Sequence, residues 1–308
     1  MKICIVGAGA VGGYFGGRMA EAGLDVTFLV RENRARQLAG SGLVIKSPLG
    51  DFTLPDPKLE ADSQKISACD LVILAVKNYQ LEGAMAQLGP WVKLGAKVLP
   101  LLNGVEHFDL LAKEFGPENI LGGMCQIIST LDAAGLILHT SQLQNITFGA
   151  LHPSQAEFCL QLEQELKRTT LKVALSSDIK LNIWLKYTFI TAYSGVTTAS
   201  RLSIDQIIKH KATKQVYVRA LQEMSNLAKA NGVSLPDNFV QQNLAGVESY
   251  SSGSTSSMHQ DFRKGLPLEV ESLQGAAVRL GDKFKIEVPT VRTLYGLIKP
   301  YENGTSLN

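Results

Sequence analysis

The chain lacks the features that would mark several protein classes at once. It has only four cysteines, Cys4, Cys69, Cys125 and Cys159, far apart and with no C-x-x-C pair. That disfavours a disulfide framework or a thiolate metal site. Buried thiols in a reducing compartment are expected, since Cys4 and Cys69 lie in or beside apolar runs. No uninterrupted apolar run reaches the length of about 20 residues that a bilayer span needs. Lysine and arginine number 30 against 28 aspartates and glutamates, a net charge of +2. They form no basic block with interleaved aromatics, so no nucleic-acid partner is expected. The five histidines, His107, His139, His152, His210 and His259, show no metal-ligand spacing, and no metal is expected. An apolar fraction of 45% with 19% charged residues is that of a globular protein with a substantial core, and a cytoplasmic enzyme is the default.

The start, MKICIVGAGAVGGYFGG, has one lysine before an apolar stretch, as a secretory leader would. Its six glycines and the alternating run before them argue instead for a strand and a turn. At 308 residues, the length favours two domains. KICIVG, DVTFLV, CDLVILAVK and AKVLPLLNG read as four strands of a parallel sheet, separated by helical stretches. LVIK and DFTL flank SPLG as a small hairpin. ILGGMCQIIST, GLILHTS and NITFGAL read as further strands joined by short turns, antiparallel additions to that sheet. From about Ser177 onward helical periodicity takes over. The expected fold is therefore α/β, a Rossmann-type doubly wound sheet over residues 1–177 followed by an all-α domain over residues 178–308. The one biased segment, ESYSSGSTSSM at 248–258, reads as a solvated loop that orders when substrate binds.

Gly7-Ala8-Gly9-Ala10-Val11-Gly12 is G-x-G-x-x-G, placed directly after a strand and opening a helix. In that context Gly7 allows the tight turn, Gly9 lets the backbone approach a pyrophosphate, and Gly12 allows close helix–strand packing. After the second strand, where NAD-binding folds usually carry an acid for the ribose, stands Arg31, followed by Glu32. An arginine there suits a 2′-phosphate, so NADP(H) is the expected cofactor. Lys77 and Asn103 fall at the carboxyl ends of two later strands, the edge where open sheets bind ligands. In NIWLKYTFITAYSGV a lysine, Lys186, sits on an otherwise apolar helix, with Ile190 and Ser194 at i+4 and i+8 on the same face.

With GAGAVG, Arg31, AVKNYQ, LLNG, NIWLK and SSMHQDFRKGLPLEVE in this order, the chain resembles the ketopantoate reductase (2-dehydropantoate 2-reductase) family over nearly its whole length. The resemblance implies an NADPH-binding domain, a helical C-terminal domain and a keto acid bound in the cleft between them. It further implies that Lys186 is the catalytic general acid and that Glu269 hydrogen-bonds the substrate near it. Ser257 matches the residue that contacts the substrate carboxylate. Asn103 matches the asparagine that helps position substrate and cofactor, and Arg31 and Lys77 the cofactor-phosphate residues. The sequence departs from the family where asparagines usually follow the lysine at i+4 and i+8. Here those positions hold Ile190 and Ser194, which favours a different, more apolar 2-keto acid. Likewise the family's Thr-Glu-Ile-Asp is Leu268-Glu269-Val270-Glu271 here.

Three functions follow: reduction of ketopantoate in pantothenate biosynthesis, reduction of another 2-keto acid, or non-catalytic sensing of NADP(H). Retention of Lys186 and Glu269 disfavours the sensor. A small keto acid is the expected partner, with a membrane excluded from the expected partners and a homodimer allowed for.

Overall fold

The computed structural model describes residues Met1 to Gly304. The chain divides into two compact units, one of Met1–Leu102 and His107–Ile179, the other of Asn103–Glu106 and Lys180 onward.

In the first unit the elements run β1 (Lys2–Val6), α1 (Ala10–Glu21), β2 (Asp25–Leu29), α2 (Glu32–Ser41), β3 (Leu43–Lys46), β4 (Phe52–Leu54), β5 (Lys58–Glu60), β6 (Leu71–Leu74), α3 (Leu81–Lys93) and β7 (Lys97–Pro100). They continue through α4 (Glu106–Phe115), β8 (Gly122–Leu131), β9 (Ile137–Gly149), α5 (Ala156–Leu166) and β10 (Lys172–Leu175). Five strands form a parallel sheet in the order β5-β2-β1-β6-β7. The strand order reverses at β1, which puts the glycine-rich turn at the crevice where such sheets take their ligands. β1 and β6 are almost wholly buried, as strands covered on both faces must be.

Two expectations are corrected. The parallel sheet has a fifth member, β5, paired to the outer edge of β2. The later strands do not extend that sheet either: GLILHTS and NITFGAL fuse into the single strand β9, antiparallel to β8. β9 also pairs in parallel with β3 and with β10, so these strands and the β3–β4 hairpin make a second sheet. α1 packs between the two sheets because its glycines let both come close. A Cβ at Gly16 would strike Phe28 and Ile5 of the first sheet, and one at Gly17 would strike Ile45 and Leu43 of the second.

The second unit is helical: α6 (Ile179–Ser200), α7 (Ile204–Lys209), α8 (Lys211–Ala230), α9 (Phe239–Glu248), α10 (Ser257–Arg263), a π-helical turn at Glu271–Gly275, α11 (Ala276–Phe284) and α12 (Pro289–Ile298). No strand occurs in it among the described residues. Its core gathers Trp184, Tyr187 and Tyr193 of α6 with Tyr217, Leu221 and Met224 of α8 and Val291 and Leu294 of α12. Among the described residues, no helix is long and apolar enough to cross a membrane.

Candidate active site

In the first unit β1 ends at Val6 and the chain turns at Gly7, whose φ of +95° lies in the left-handed region. Gly12 approaches that turn so closely that a Cβ would fall 2.0 Å from the Gly7 carbonyl oxygen. Gly9 differs, because nothing lies within 4 Å of where its Cβ would stand. It caps α1 without a side-chain hydrogen bond, and no acid occupies the first turn. The opening amides of α1, on Ala10, Val11 and Gly12, have no acceptor within the helix, and the helix dipole favours an anion in front of them. Open space before a bare helix N-terminus is what a dinucleotide pyrophosphate requires, so these residues fit the expected cofactor. Ala8 is buried beside them.

Arg31 is exposed and caps the N-terminus of α2. Its guanidinium makes no ion pair or hydrogen bond among the described residues. Glu32 opens the helix, also exposed. Arg34, one turn on, was given no role by the sequence reading. Its Nε donates to the Ala8 carbonyl at 3.0 Å, and its Nη1 donates to Gln37 Oε1 at 2.6 Å and to the Gly135 carbonyl at 2.9 Å. Its Nη2 is buried and unpartnered. No carboxylate faces it, and burial pulls its pKa below the ordinary arginine value. The spacing from Arg31 was the available signal, since residues three apart share a helix face. Lys77 lies three residues beyond β6, half-buried, and caps the short turn Asn78–Gln80.

In the second unit, α6 carries Lys186 half-buried. The flanking Ile183, Trp184 and Tyr187 are buried. The Lys186 ammonium has no hydrogen-bond or ion-pair partner among the described residues. Ile190 is partly buried against the apolar core. Ser194 is 1% exposed, and its hydroxyl accepts a hydrogen bond from Gln274 Nε2 at 2.9 Å. The same Nε2 donates to the Thr191 carbonyl at 2.7 Å. Ser194 thus joins a buried hydrogen-bond network.

Glu269 is 6% exposed and lies two residues before the start of the π-helical turn. Its carbonyl accepts from Ser272 Oγ at 3.1 Å and from the Leu273 amide at 3.2 Å. The turn then reaches α6 by a second route, because Tyr187 Oη donates to the Leu273 carbonyl at 2.8 Å. π-helical turns recur at functional sites. Asn103 lies in the short segment that packs with the helical unit. Its neighbour Gly104 has a φ of +91° and sits so close to the turn that a Cβ would stand 2.5 Å from the Ser272 carbonyl oxygen. One five-residue turn therefore contacts the helix bearing Lys186, follows Glu269, and abuts the segment bearing Asn103.

Ser257 is exposed at the first position of α10. The residue before it does the anchoring: Ser256 accepts from the His259 amide at 3.1 Å and pairs with Thr197 of α6 at 2.8 Å. The serine-rich segment is also more anchored than a solvated loop. Ser252 Oγ and the Gly253 amide both donate to Asp205 at 3.1 Å, and the Ser254 carbonyl accepts from the Ile204 amide at 2.9 Å.

Comparison with known proteins identifies two family profiles in this chain. The ketopantoate reductase PanE/ApbA profile matches residues 3–153, and the ketopantoate reductase PanE/ApbA C-terminal profile matches residues 178–302. The uncharacterized oxidoreductase YkpB of Bacillus subtilis is 33% identical, covering 98% of this chain and 99% of its own. The crystal structure of 2-dehydropantoate 2-reductase from Geobacter metallireducens superposes with a TM-score of 0.91 at 27% identity, covering 97% of this chain and 99% of that one. A complex of D-mandelate dehydrogenase with NADH matches over 100% of both chains, with a TM-score of 0.86 and 25% identity.

Proposed function

The chain belongs to the ketopantoate reductase PanE/ApbA family of oxidoreductases, and from that premise we propose that it reduces a 2-keto acid with NADPH, 2-dehydropantoate being the first substrate to test. The observation that carries the proposal is the half-buried Lys186 ammonium, without a partner among the described residues, on a helix bonded to the turn that follows Glu269.

NADPH, when bound, supplies the hydride to the carbonyl carbon. The residues that would hold it are those of the Gly7–Gly12 turn for the pyrophosphate, with Arg31 and Lys77 for the phosphates. As the carbonyl oxygen gains charge, the Lys186 ammonium donates its proton to that oxygen, which lowers the barrier by general acid catalysis and by electrostatic stabilisation. Glu269 hydrogen-bonds the substrate beside that lysine. Ser257 Oγ donates to the substrate carboxylate. Asn103 orients the substrate carbonyl toward the Lys186 ammonium. The apolar residues around Lys186 exclude water, which strengthens each of these interactions.

A second reading concerns the substrate alone. Ile190 offers hydrocarbon where the family usually offers an amide, and the Ser194 hydroxyl is engaged by Gln274. Both features favour a keto acid with an apolar side chain over one carrying a hydroxyl, as a mandelate-type enzyme of the same fold takes.

The test is oxidation of NADPH, followed by its absorbance, with 2-dehydropantoate and a panel of aliphatic and aromatic 2-keto acids. Lys186→Ala should lower kcat by roughly a hundredfold or more while leaving NADPH binding intact. Turnover of 2-dehydropantoate supports the first reading and turnover of apolar keto acids alone the second. An unimpaired Lys186→Ala variant would remove the assigned acid.

A further inference from the structure

Arg279, on α11, donates four hydrogen bonds to two glutamates, and nothing in the proposed reaction uses it. Its Nε donates to Glu106 Oε1 at 3.1 Å and its Nη2 to Glu106 Oε2 at 2.7 Å, a two-pronged pairing of guanidinium with carboxylate. The rest of the fork points the other way. Nη1 donates to Glu271 Oε2 at 2.6 Å, and Nη2 also donates to the Glu271 carbonyl at 2.7 Å. Glu271 is itself held, by Tyr295 Oη at 2.6 Å and by the Lys299 ammonium, which also reaches Glu302.

The two carboxylates lie close in sequence to two residues of the proposed site. Glu106 follows Asn103 by three residues, and Glu271 follows Glu269 by two. Between them Gly104 presses against the Ser272 carbonyl, and Val105 packs on the helical core. Resting on the keto acid reductase reading above, we propose that Arg279 is a positioning residue that locks Asn103 to the Glu269 turn by bridging Glu106 and Glu271. A guanidinium suits this task because its planar fork fixes direction as well as distance at both carboxylates. Lysine would supply the charge without the direction.

Global stability is not what the bridge controls. Arg279 and Glu271 are 48% and 42% exposed at the side chain, and ion pairs that open to water add little to folding. Their effect is geometric, and small displacements at a reacting centre have large kinetic consequences.

The test compares Glu106→Gln, Arg279→Met, Arg279→Lys and the Glu106→Gln/Arg279→Met double variant of the full chain. Two readouts are taken: steady-state kinetics, and hydrogen exchange of the peptide spanning residues 103–106. Both Glu106→Gln and Arg279→Met should speed exchange at Gly104 and Val105 while leaving the β7 amides of Val98 and Leu99 unchanged. They should lower kcat about tenfold or more, with the NADPH KM and the thermal midpoint nearly unmoved. Arg279→Lys should fall between wild type and Arg279→Met, and the double variant should match Arg279→Met alone. Unchanged exchange at Gly104 and Val105 overturns the proposal, and so do losses in kcat that add in the double variant or track the thermal midpoint. Should the wild-type protein turn over no keto acid, the reading of the reaction fails while the exchange measurement still decides the bridge.

Discussion

Arg31 and Arg34 stand three residues apart at the start of α2, and the two are not equivalent. Arg31 is exposed and unpaired among the described residues, whereas Arg34 is spent largely on the backbone, holding the Ala8 and Gly135 carbonyls. A 2′-phosphate would therefore find its accessible guanidinium at Arg31, while the buried Arg34 Nη2 is a further donor without a partner. Hydrogen bonds to charged groups contribute roughly 1.5–3 kcal/mol, so Arg31→Ala should raise the NADPH KM about 10- to 100-fold. The NADH KM should stay close to its wild-type value. Steady-state kinetics with both nucleotides checks this, and equal losses for the two would show that Arg31 does not read the phosphate. At this scale the sequence was informative for residues whose chemistry shows in their type, such as Arg31 beside a strand end or Lys186 among apolar neighbours. It was silent for Arg34 and Gln274, because a guanidinium bonded to carbonyls and an amide buried in a helix interface look like ordinary polar residues until their surroundings are known.

At the scale of elements, α6 and the glycine-turn strand were legible because each satisfies a long, single periodicity. Two of the edge strands were not. β5 is three residues and β10 four, each pairing on one side only, and runs so short carry too little alternation to distinguish from loop. β9 was read as two strands because Ser141, Gln142 and Leu143 are largely solvent-facing, so a continuous strand looked like a polar turn. Pairing is also nonlocal: nothing in LVIK announces that β3 lies beside Ile137–Leu138 of β9. The π-helical turn belongs to the same class, since its register is imposed by contacts to α6 rather than by its own five residues. Those contacts make a prediction. Gln274 is fully buried and donates to both the Thr191 carbonyl and Ser194 Oγ. Gln274→Leu keeps the volume close and leaves the Ser194 hydroxyl without its donor, so it should destabilise the chain by about 1–3 kcal/mol. A urea midpoint equal to wild type would show that the turn is held by packing alone.

For the whole molecule, stability should respond to acid in two separable windows. His259 is 1% exposed, with Nδ1 2.7 Å from Thr255 Oγ1. Burial, reinforced by the nearby Arg263 charge, pulls its pKa from 6.5 down to about 4. The folded chain therefore keeps this ring neutral where the unfolded chain has already protonated it. Because the unfolded state binds more protons between those two values, stability is fully present above the ordinary histidine pKa and falls as pH drops toward about 4, by at most about 3 kcal/mol. Glu271 acts lower on the scale. Burial alone would raise its pKa, but the hydrogen bonds from Lys299, Tyr295 and Arg279 outweigh it and bring the value to about 2. Its ionised form favours the fold, modestly because the side chain is 42% exposed, and that contribution is lost as pH falls from the ordinary glutamate range toward about 2. Urea midpoints measured across this range should decline in both windows for the wild-type chain. His259→Gln should flatten the upper window and leave the lower one in place. Glu271→Gln should leave the upper one in place and shallow the lower one only in part, because Asp205, also held down to about 2 by hydrogen bonds from Ser203, Gly253 and Ser252, titrates there too. Since Ser256 and Thr255, which anchor the start of α10 beside Ser257, both bond to His259, the upper window is also where protonation would loosen the substrate-carboxylate end of the proposed site. A wild-type midpoint that holds constant from about pH 7 to about pH 4 would mean that His259 protonates as readily in the folded chain as in the unfolded one.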